Sequence, residues 1–343
     1  MFKRMIDSIS VECRRLRIFS SVCLCLLLAS IANSAAPAEF DSRSVFGTGG
    51  SDPLLYEVVR GKSRLYLFGT IHFGNANMYP LSDAVAAALE ESEVIAMEVA
   101  PQDEEATREA YADLVRRRGE AGVDERLSAR VVQLLERYRL PAEYSTKRGP
   151  LALSTILSIA DSAANGLTVD WGTERVLMAM TTGSGKKKES IEPVGFALDL
   201  EFALTPQDQN ALLQSTLNDI DSGEARRKEI ALATTWQRGD EHAIEAVMQE
   251  ALNEGSHAAS VKMVANLARR NHAMLERIRS YLEEQKTYFV AVGIFHIVGS
   301  DGLAARLKRL GYSVRVVAPS SNKKIASRPS AGSKEISTVR APG

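Results

Sequence analysis

The chain has 343 residues, of which 45% are hydrophobic and 25% charged, and its formal net charge is -1. This composition is that of an ordinary globular protein with a sizeable core, and the length allows one large domain with insertions. The near-zero net charge argues against nucleic acid or a strongly acidic molecule as the partner.

The first 36 residues have the composition of a signal peptide. A basic front that includes Lys3 and Arg4 precedes the apolar run IFSSVCLCLLLASIA, and small residues follow in NSAAPAE. Because the run is short for a membrane span, we predict that residues 1–36 direct export, with the periplasm as the expected destination. Secretion, an uncleaved anchor that would be the only membrane contact, and a start at Met5 are the alternatives.

Cysteine chemistry is not expected in the mature chain. All three cysteines, Cys13, Cys23 and Cys25, lie within the predicted signal segment. Their removal excludes disulfide bonds, thiolate metal sites and a cysteine nucleophile. At the other end, residues 319–343 are rich in Ser, Lys and Pro, which predicts a disordered, solvated tail.

Strand-like runs cluster at the two ends of the mature chain. LLYEVV and RLYLFG flank the polar connection RGKS, which predicts a β-hairpin, and a helix in LSDAVAAALEES, capped by Ser82 or Asp83, precedes a strand in EVIAMEVAP. The C-terminal end repeats the order with a strand in TYFVAVG, a helix in DGLAARLKRLGY closed by Gly311, and a strand in SVRVVAP. A short helix between two apolar strands is typical of a βαβ crossover, which implies parallel strands.

The segment from about residue 102 to residue 285 is predicted to be a helical insertion with one strand, in ESIEPVG. We therefore predict an α/β fold over residues 45–318, with a small mixed, partly parallel sheet built from both chain ends. The loop-like TTGSGKKKES lacks the first glycine of a phosphate-binding loop, because Met180 stands there, and we interpret it as a solvated turn. Three other histidines, His242, His257 and His272, have no partner at ligand spacing.

A GxxH motif follows an apolar strand twice, as GTIH ending at His72 and as GIFH ending at His296. Ligands of open α/β sheets bind at the carboxyl ends of parallel strands, so neighbouring units would direct both histidines into one crevice. Two neutral imidazoles and a carboxylate, supplied by Glu98 after the next strand, would bind a divalent metal with positions left for water and substrate. Satisfied structural histidines, and an ion pair or helix cap for Glu98, are the alternatives.

Several segments resemble the TraB/GumN family in order and spacing from Leu55 to Val317; they are LFGTIHFG, AMEVAP, GLTVDWGTERVLMAM, IEPVGF, TTWQRGD, ARRNHAML and FVAVGIFHIVGSDGLAARLKRLGYSV. This family is similar to the Tiki proteins, metal-dependent proteases with two GxxH motifs, and more distantly to erythromycin esterases and ChaN-like haem-binding proteins. The resemblance implies that His72, Glu98 and His296 bind Mn, Co, Fe or Zn.

The resemblance also implies roles for residues of the insertion. Arg270 and Asn271, in ARRN, match an element expected to face the same crevice. Arg270 would hold a substrate carboxylate or stabilise an oxyanion, or else form a plain salt bridge, and Glu192 would form a structural ion pair. The function expected is an exported metal-dependent hydrolase of a peptide or small molecule, with Glu98 as ligand or base. A non-catalytic haem- or metal-binding protein or scaffold is the alternative.

Overall fold

The computed structural model describes residues 50–118, 121–201, 203–253 and 257–318. The predicted signal segment and tail lie outside these residues. The strands of the described part are β1 (Leu55–Arg60), β2 (Ser63–Thr70), β3 (Val94–Met97), β4 (Lys187–Ser190), β5 (Thr287–Gly293) and β6 (Ser313–Val316). They form one six-stranded sheet in the order β4-β3-β5-β2-β1-β6. The predicted α/β class with a mixed sheet is confirmed.

Most of the helices lie in the insertion between β3 and β5. The described α-helices are α1 (Asp83–Glu91), α2 (Glu104–Arg118), α3 (Glu125–Arg137), α4 (Tyr144–Lys147), α5 (Pro150–Ala164), α6 (Thr173–Thr181), α7 (Phe196–Glu201), α8 (Pro206–Ser222), α9 (Glu224–Gln237), α10 (Glu241–Asn253), α11 (His257–Tyr281), α12 (Ile294–Ile297) and α13 (Leu303–Arg309). Short 3₁₀ turns occur at Ala76–Met78, Pro101–Asp103 and Val169–Trp171. Within the described ranges, no helix combines the length and the apolar character that crossing a membrane requires.

The two ends of the chain interleave in the sheet. Strand β5 lies between β2 and β3 and runs parallel to both, while β1 is antiparallel to its neighbours β2 and β6. Both predicted crossovers therefore join parallel strands, but neither joins adjacent ones. In the register of β2 and β5, Thr70 lies opposite Gly293. The two GxxH motifs consequently leave the sheet side by side at its carboxyl edge.

The central strands are buried on both faces, as parallel strands covered by helices usually are. Every residue from Tyr288 to Val292 is at most 1% exposed. Helix α9 anchors the insertion to this core through Trp236, whose indole N–H donates to Gly69 O at 2.8 Å. A second apolar cluster joins α3, α5 and α8, so the insertion also has a core of its own; its buried members are Leu127, Val131, Leu134, Leu135, Leu153, Leu157, Leu213, Leu217 and Ile220.

The strand predicted in ESIEPVG is misplaced, because the observed strand is Lys187–Ser190, within the segment interpreted as a turn. It pairs with β3 alone, at the edge of the sheet, where an apolar alternation is not required. Of its two lysines, Lys188 donates from Nζ to Thr181 O at 3.1 Å, and Lys187 pairs through Nζ with Glu189 Oε1 at 2.6 Å. Pro193, which has no N–H to donate, follows soon after the strand ends.

Gly69 lets α12 lie directly against β2. A Cβ at residue 69 would lie 2.1 Å from Ile294 Cδ1 and 3.2 Å from its Cγ1. We predict that Gly69→Ala lowers the free energy of unfolding by about 1–3 kcal/mol, because it overpacks the core at this contact. Denaturant unfolding measures the change.

Ile294→Val supplies the matched control, because it deletes the Cδ1 methyl that the new Cβ would overlap. Alone it should cost about 0.5–1.5 kcal/mol, but in the Gly69→Ala protein it should cost less or restore stability. Strictly additive losses in the double variant would show that residues 69 and 294 are not in contact.

Candidate active site

The candidate residues follow the carboxyl ends of four parallel strands. His72 lies just after β2, Glu98 directly after β3, Glu192 after β4, and His296 in α12 after β5. All four side chains are nearly buried, with His72 the most exposed at 11%. His296 Nε2 lies 3.9 Å from Glu98 Oε1, and His72 is close enough for its charge to affect the pKa of both. The sheet edge thus brings the three predicted metal ligands into one region.

Glu98 is held through both of its oxygens. Its Oε1 accepts the backbone N–H of Gly293 at 2.7 Å, and its Oε2 accepts Nη2 of Arg270 at 2.7 Å. Burial by itself would raise the pKa of Glu98, but the charge of Arg270, then those of His296 and His72, outweigh it and lower the pKa to about 2. Glu98 is therefore an ionised carboxylate at neutral pH.

Arg270, on α11, bridges two buried carboxylates. Besides Glu98, it contacts Glu192 in a forked arrangement, with Nε 2.8 Å from Oε1 and Nη2 2.6 Å from Oε2. Burial raises the pKa of Glu192, and the attraction of Arg270 offsets this only in part. Of the two roles left open for Arg270, these contacts are those of an ion pair, and Glu192 is its partner.

His296 is oriented by Asn271, the residue that follows Arg270. His296 Nδ1 lies 2.6 Å from Asn271 Oδ1, while the Asn271 amide nitrogen donates to Asp301 O at 3.1 Å. Because that carbonyl can only accept, the amide oxygen must face the ring, and Nδ1 must carry the proton. The lone pair of the neutral ring is therefore on Nε2. Burial, followed by the charge of Arg270, lowers the pKa of His296 to about 3, so the ring is neutral.

His72 has a partner that the sequence did not indicate. Its Nδ1 lies 3.0 Å from Oε1 of Glu174, a buried residue in the first turn of α6. Burial opposes the charge on His72, but the attraction of Glu174 and Glu98 outweighs it and raises the pKa of His72. Glu174 lies 102 positions after His72, in the otherwise mainly apolar GLTVDWGTERVLMAM. The same run also contains Asp170, so its acidic residues alone did not single out Glu174.

The comparisons with known proteins identify the family. A family model described as the TraB/PrgY/gumN family matches residues 54–316. The chain belongs to this family. No curated protein and no solved structure shows a significant match. The matched range contains both GxxH motifs together with Glu98, Glu174 and Arg270, and the resemblance seen in the sequence is confirmed.

The charges of this family member fit a divalent cation at the sheet edge. The guanidinium of Arg270 contacts the buried carboxylates of Glu98 and Glu192, and the buried carboxylate of Glu174 contacts His72, so three negative charges face one positive charge among these groups when the carboxylates are ionised and the imidazoles neutral. Both GxxH histidines turn Nδ1 towards a side-chain oxygen, the usual arrangement when Nε2 binds metal.

The candidate ligand atoms do not form a preformed metal-binding group. Two ligands of one tetrahedral zinc lie about 3.4 Å apart, close to the 3.9 Å between His296 Nε2 and Glu98 Oε1. Among the residues that the structure describes, however, no three His, Cys, Asp or Glu side chains form a preformed metal-binding group. The donor atoms and charges therefore fit a cation, whose coordination would draw the side chains closer together.

Removal of Arg270 tests whether it neutralises the two glutamates. We predict that Arg270→Met, in the presence of chelator, lowers the free energy of unfolding by about 3–5 kcal/mol at neutral pH, since two buried carboxylates lose their counter-charge. In the unmodified protein the pKa of Glu98 is lowered from 4.5 to about 2, so the stability it contributes is present above pH 4.5 and lost as the pH falls towards about 2. The deficit of the variant should therefore shrink on acidification.

Urea unfolding at several pH values measures the deficit. Arg279→Met is the matched control, because Arg279 lies on the same helix and pairs with Glu276 at the surface. It should leave stability almost unchanged. A similar loss in both variants, or a deficit for Arg270→Met that is independent of pH, would contradict the assignment.

Proposed function

We propose that the chain is an exported metal-dependent hydrolase that cleaves peptide bonds, with His72, Glu98 and His296 as its metal ligands. The observation that carries the proposal is the matched orientation of the two histidines. Each turns Nδ1 to a side-chain oxygen, and His296 Nε2 faces buried, ionised Glu98 at 3.9 Å. Similarity of the two GxxH motifs to those of the Tiki proteases supports the choice of reaction, and residues 1–36 support export.

The residues would contribute different donor atoms. Those with a lone pair available to a cation are Nε2 of each histidine and Oε1 of Glu98, which accepts one hydrogen bond from Gly293 and has further acceptor capacity. A bound Mn²⁺, Co²⁺, Fe²⁺ or Zn²⁺ would lower the pKa of a coordinated water and polarise a scissile carbonyl.

Glu98 suits a ligand better than a base. Both of its oxygens accept hydrogen bonds, from Gly293 and from Arg270, and these bonds stabilise the charged form. A carboxylate held in this way is a weak base. We therefore propose ligation for Glu98, of the two roles open to it.

Arg270 suits a positioning role better than contact with the substrate. Its Nε and Nη2 atoms are both engaged by buried glutamates. It would act on the reaction through Glu98, whose Oε2 it holds while Oε1 faces His296. In this role Arg270 sets the direction of the carboxylate and reduces the repulsion between Glu98 and Glu192.

Metal analysis combined with hydrolysis tests the proposal. We predict that purified protein carries a stoichiometric divalent metal, cleaves members of a broad peptide library, loses cleavage with chelator and regains it with Mn²⁺ or Co²⁺. His72→Ala and His296→Ala should each lose both the metal and the cleavage, because each removes one ligand. His242→Ala, at an exposed histidine of α10, should lose neither.

The outcomes separate the candidate functions. Stoichiometric metal without cleavage would support the non-catalytic alternative, and a Soret band on haem titration would indicate haem binding. Cleavage that is indifferent to chelator, or metal content unchanged in both histidine variants, would refute the proposal.

A further inference from the structure

The loop that carries His72 is hydrogen-bonded to the segment Thr168–Glu174, which is called the strap below. Gly74 and Thr168 exchange two backbone hydrogen bonds, of 3.0 and 2.8 Å, at one end of the contact. At the other end, the backbone N–H of Thr173 donates to Ile71 O at 2.9 Å. The loop on both sides of His72 is therefore held by backbone bonds to the strap.

Side chains of the strap fix its register against the loop. The Thr173 hydroxyl accepts the Ile71 N–H at 2.8 Å and donates to Ile71 O at 3.1 Å. Gly172 lies directly against the backbone of His72, and a Cβ at residue 172 would be 2.3 Å from His72 O. Because that oxygen belongs to the backbone, it cannot move aside as a flexible side chain could, so glycine is required here. This register places Glu174, two residues after Gly172, beside the ring of His72.

Glu174 and His72 face each other in a nearly closed space. Their side chains are 10% and 11% exposed, and Glu174 Oε1 is 3.0 Å from His72 Nδ1. Neither atom has a hydrogen-bond partner of good geometry among the residues that the structure describes. The separation is that of a hydrogen bond, although the two groups are not yet aligned as donor and acceptor. A buried carboxylate oxygen in this position is costly unless it receives a proton donor.

The other histidine shows what such a contact does. Asn271 meets His296 at the same ring nitrogen, Nδ1, and thereby leaves the lone pair on Nε2.

We propose that Glu174 is a positioning residue that holds His72 as the Nδ1–H tautomer and directs its Nε2 to the metal site. The inference rests on the proposed function, in which His72 Nε2 is a ligand. Without an acceptor at Nδ1 the proton can move to Nε2, and a protonated Nε2 cannot bind metal. A carboxylate that accepts the Nδ1–H also makes Nε2 a more basic metal ligand than an amide acceptor does.

Nuclear magnetic resonance of ¹⁵N-labelled histidine tests the tautomer directly in metal-free protein. His72→Ala identifies the resonance, and a titration finds a pH at which the ring is neutral. The unmodified protein and Glu174→Gln, whose amide oxygen still accepts, should have the proton on Nδ1. Glu174→Leu should shift it to Nε2.

Calorimetric titration with Mn²⁺ supplies the second readout. Affinity should fall about 10–100-fold in Glu174→Leu and much less in Glu174→Gln, because the partner of a ligating histidine tunes binding by this amount. Glu136→Leu, at an exposed glutamate of α3, should alter neither readout.

An Nε2–H tautomer in the unmodified protein would overturn the inference, as would an unchanged tautomer and Mn²⁺ affinity in folded Glu174→Leu. If that variant does not fold, the unmodified protein and Glu174→Gln still decide the question: loss of the Nδ1–H tautomer in either counts against Glu174. Absence of Mn²⁺ binding in the unmodified protein would count against the proposed function instead, because the tautomer is measured without metal.

Discussion

The two ion pairs that Arg270 forms with the buried carboxylates of Glu98 and Glu192 constrain the carboxyl edge of the sheet. Glu98 and Glu192 follow neighbouring strands, while Glu174 and Arg270 come from helices of the insertion. Leaving one of these charges buried without its partner would cost several kcal/mol, so the strands and the helices must dock together. The insertion is consequently part of the site, since it supplies the counter-charge of Glu98 and the partners of both histidines.

Interleaving of the chain ends explains how residues more than 200 positions apart meet. Insertion of β5 between β2 and β3 places the two GxxH motifs side by side, with Glu98 after the strand on the other side of β5. In each motif the glycine permits a neighbouring side chain to approach the backbone closely. The histidine three residues later then lies at the carboxyl edge of the sheet. Asn271 and Glu174 each meet an Nδ1 atom, so the geometry favours lone pairs on the two Nε2 atoms. That geometry is the physical basis for proposing a metal.

The sequence predicted five of the six described strands, because long apolar runs are local signals, and the GxxH motifs led to the candidate residues, whose metal binding stays a prediction. It was insufficient for β4, whose lysines pair at a sheet edge where no apolar pattern is needed. It left Arg270 between two roles, since only the fold reveals that Glu98 and Glu192 flank it. Glu174 was not recognised because its contact with His72 depends on the strap, and no spacing rule connects residues so far apart.

We propose that His72, Glu98 and His296 share one cation. Anomalous diffraction at the zinc edge, from crystals grown with Zn²⁺, tests it most directly. We expect one strong peak about 2.0–2.2 Å from His72 Nε2, His296 Nε2 and a Glu98 carboxylate oxygen, with Glu174 and Asn271 still at the Nδ1 atoms. A peak elsewhere in the molecule and none at this edge, or zinc bound by Nδ1 of either histidine, would contradict it.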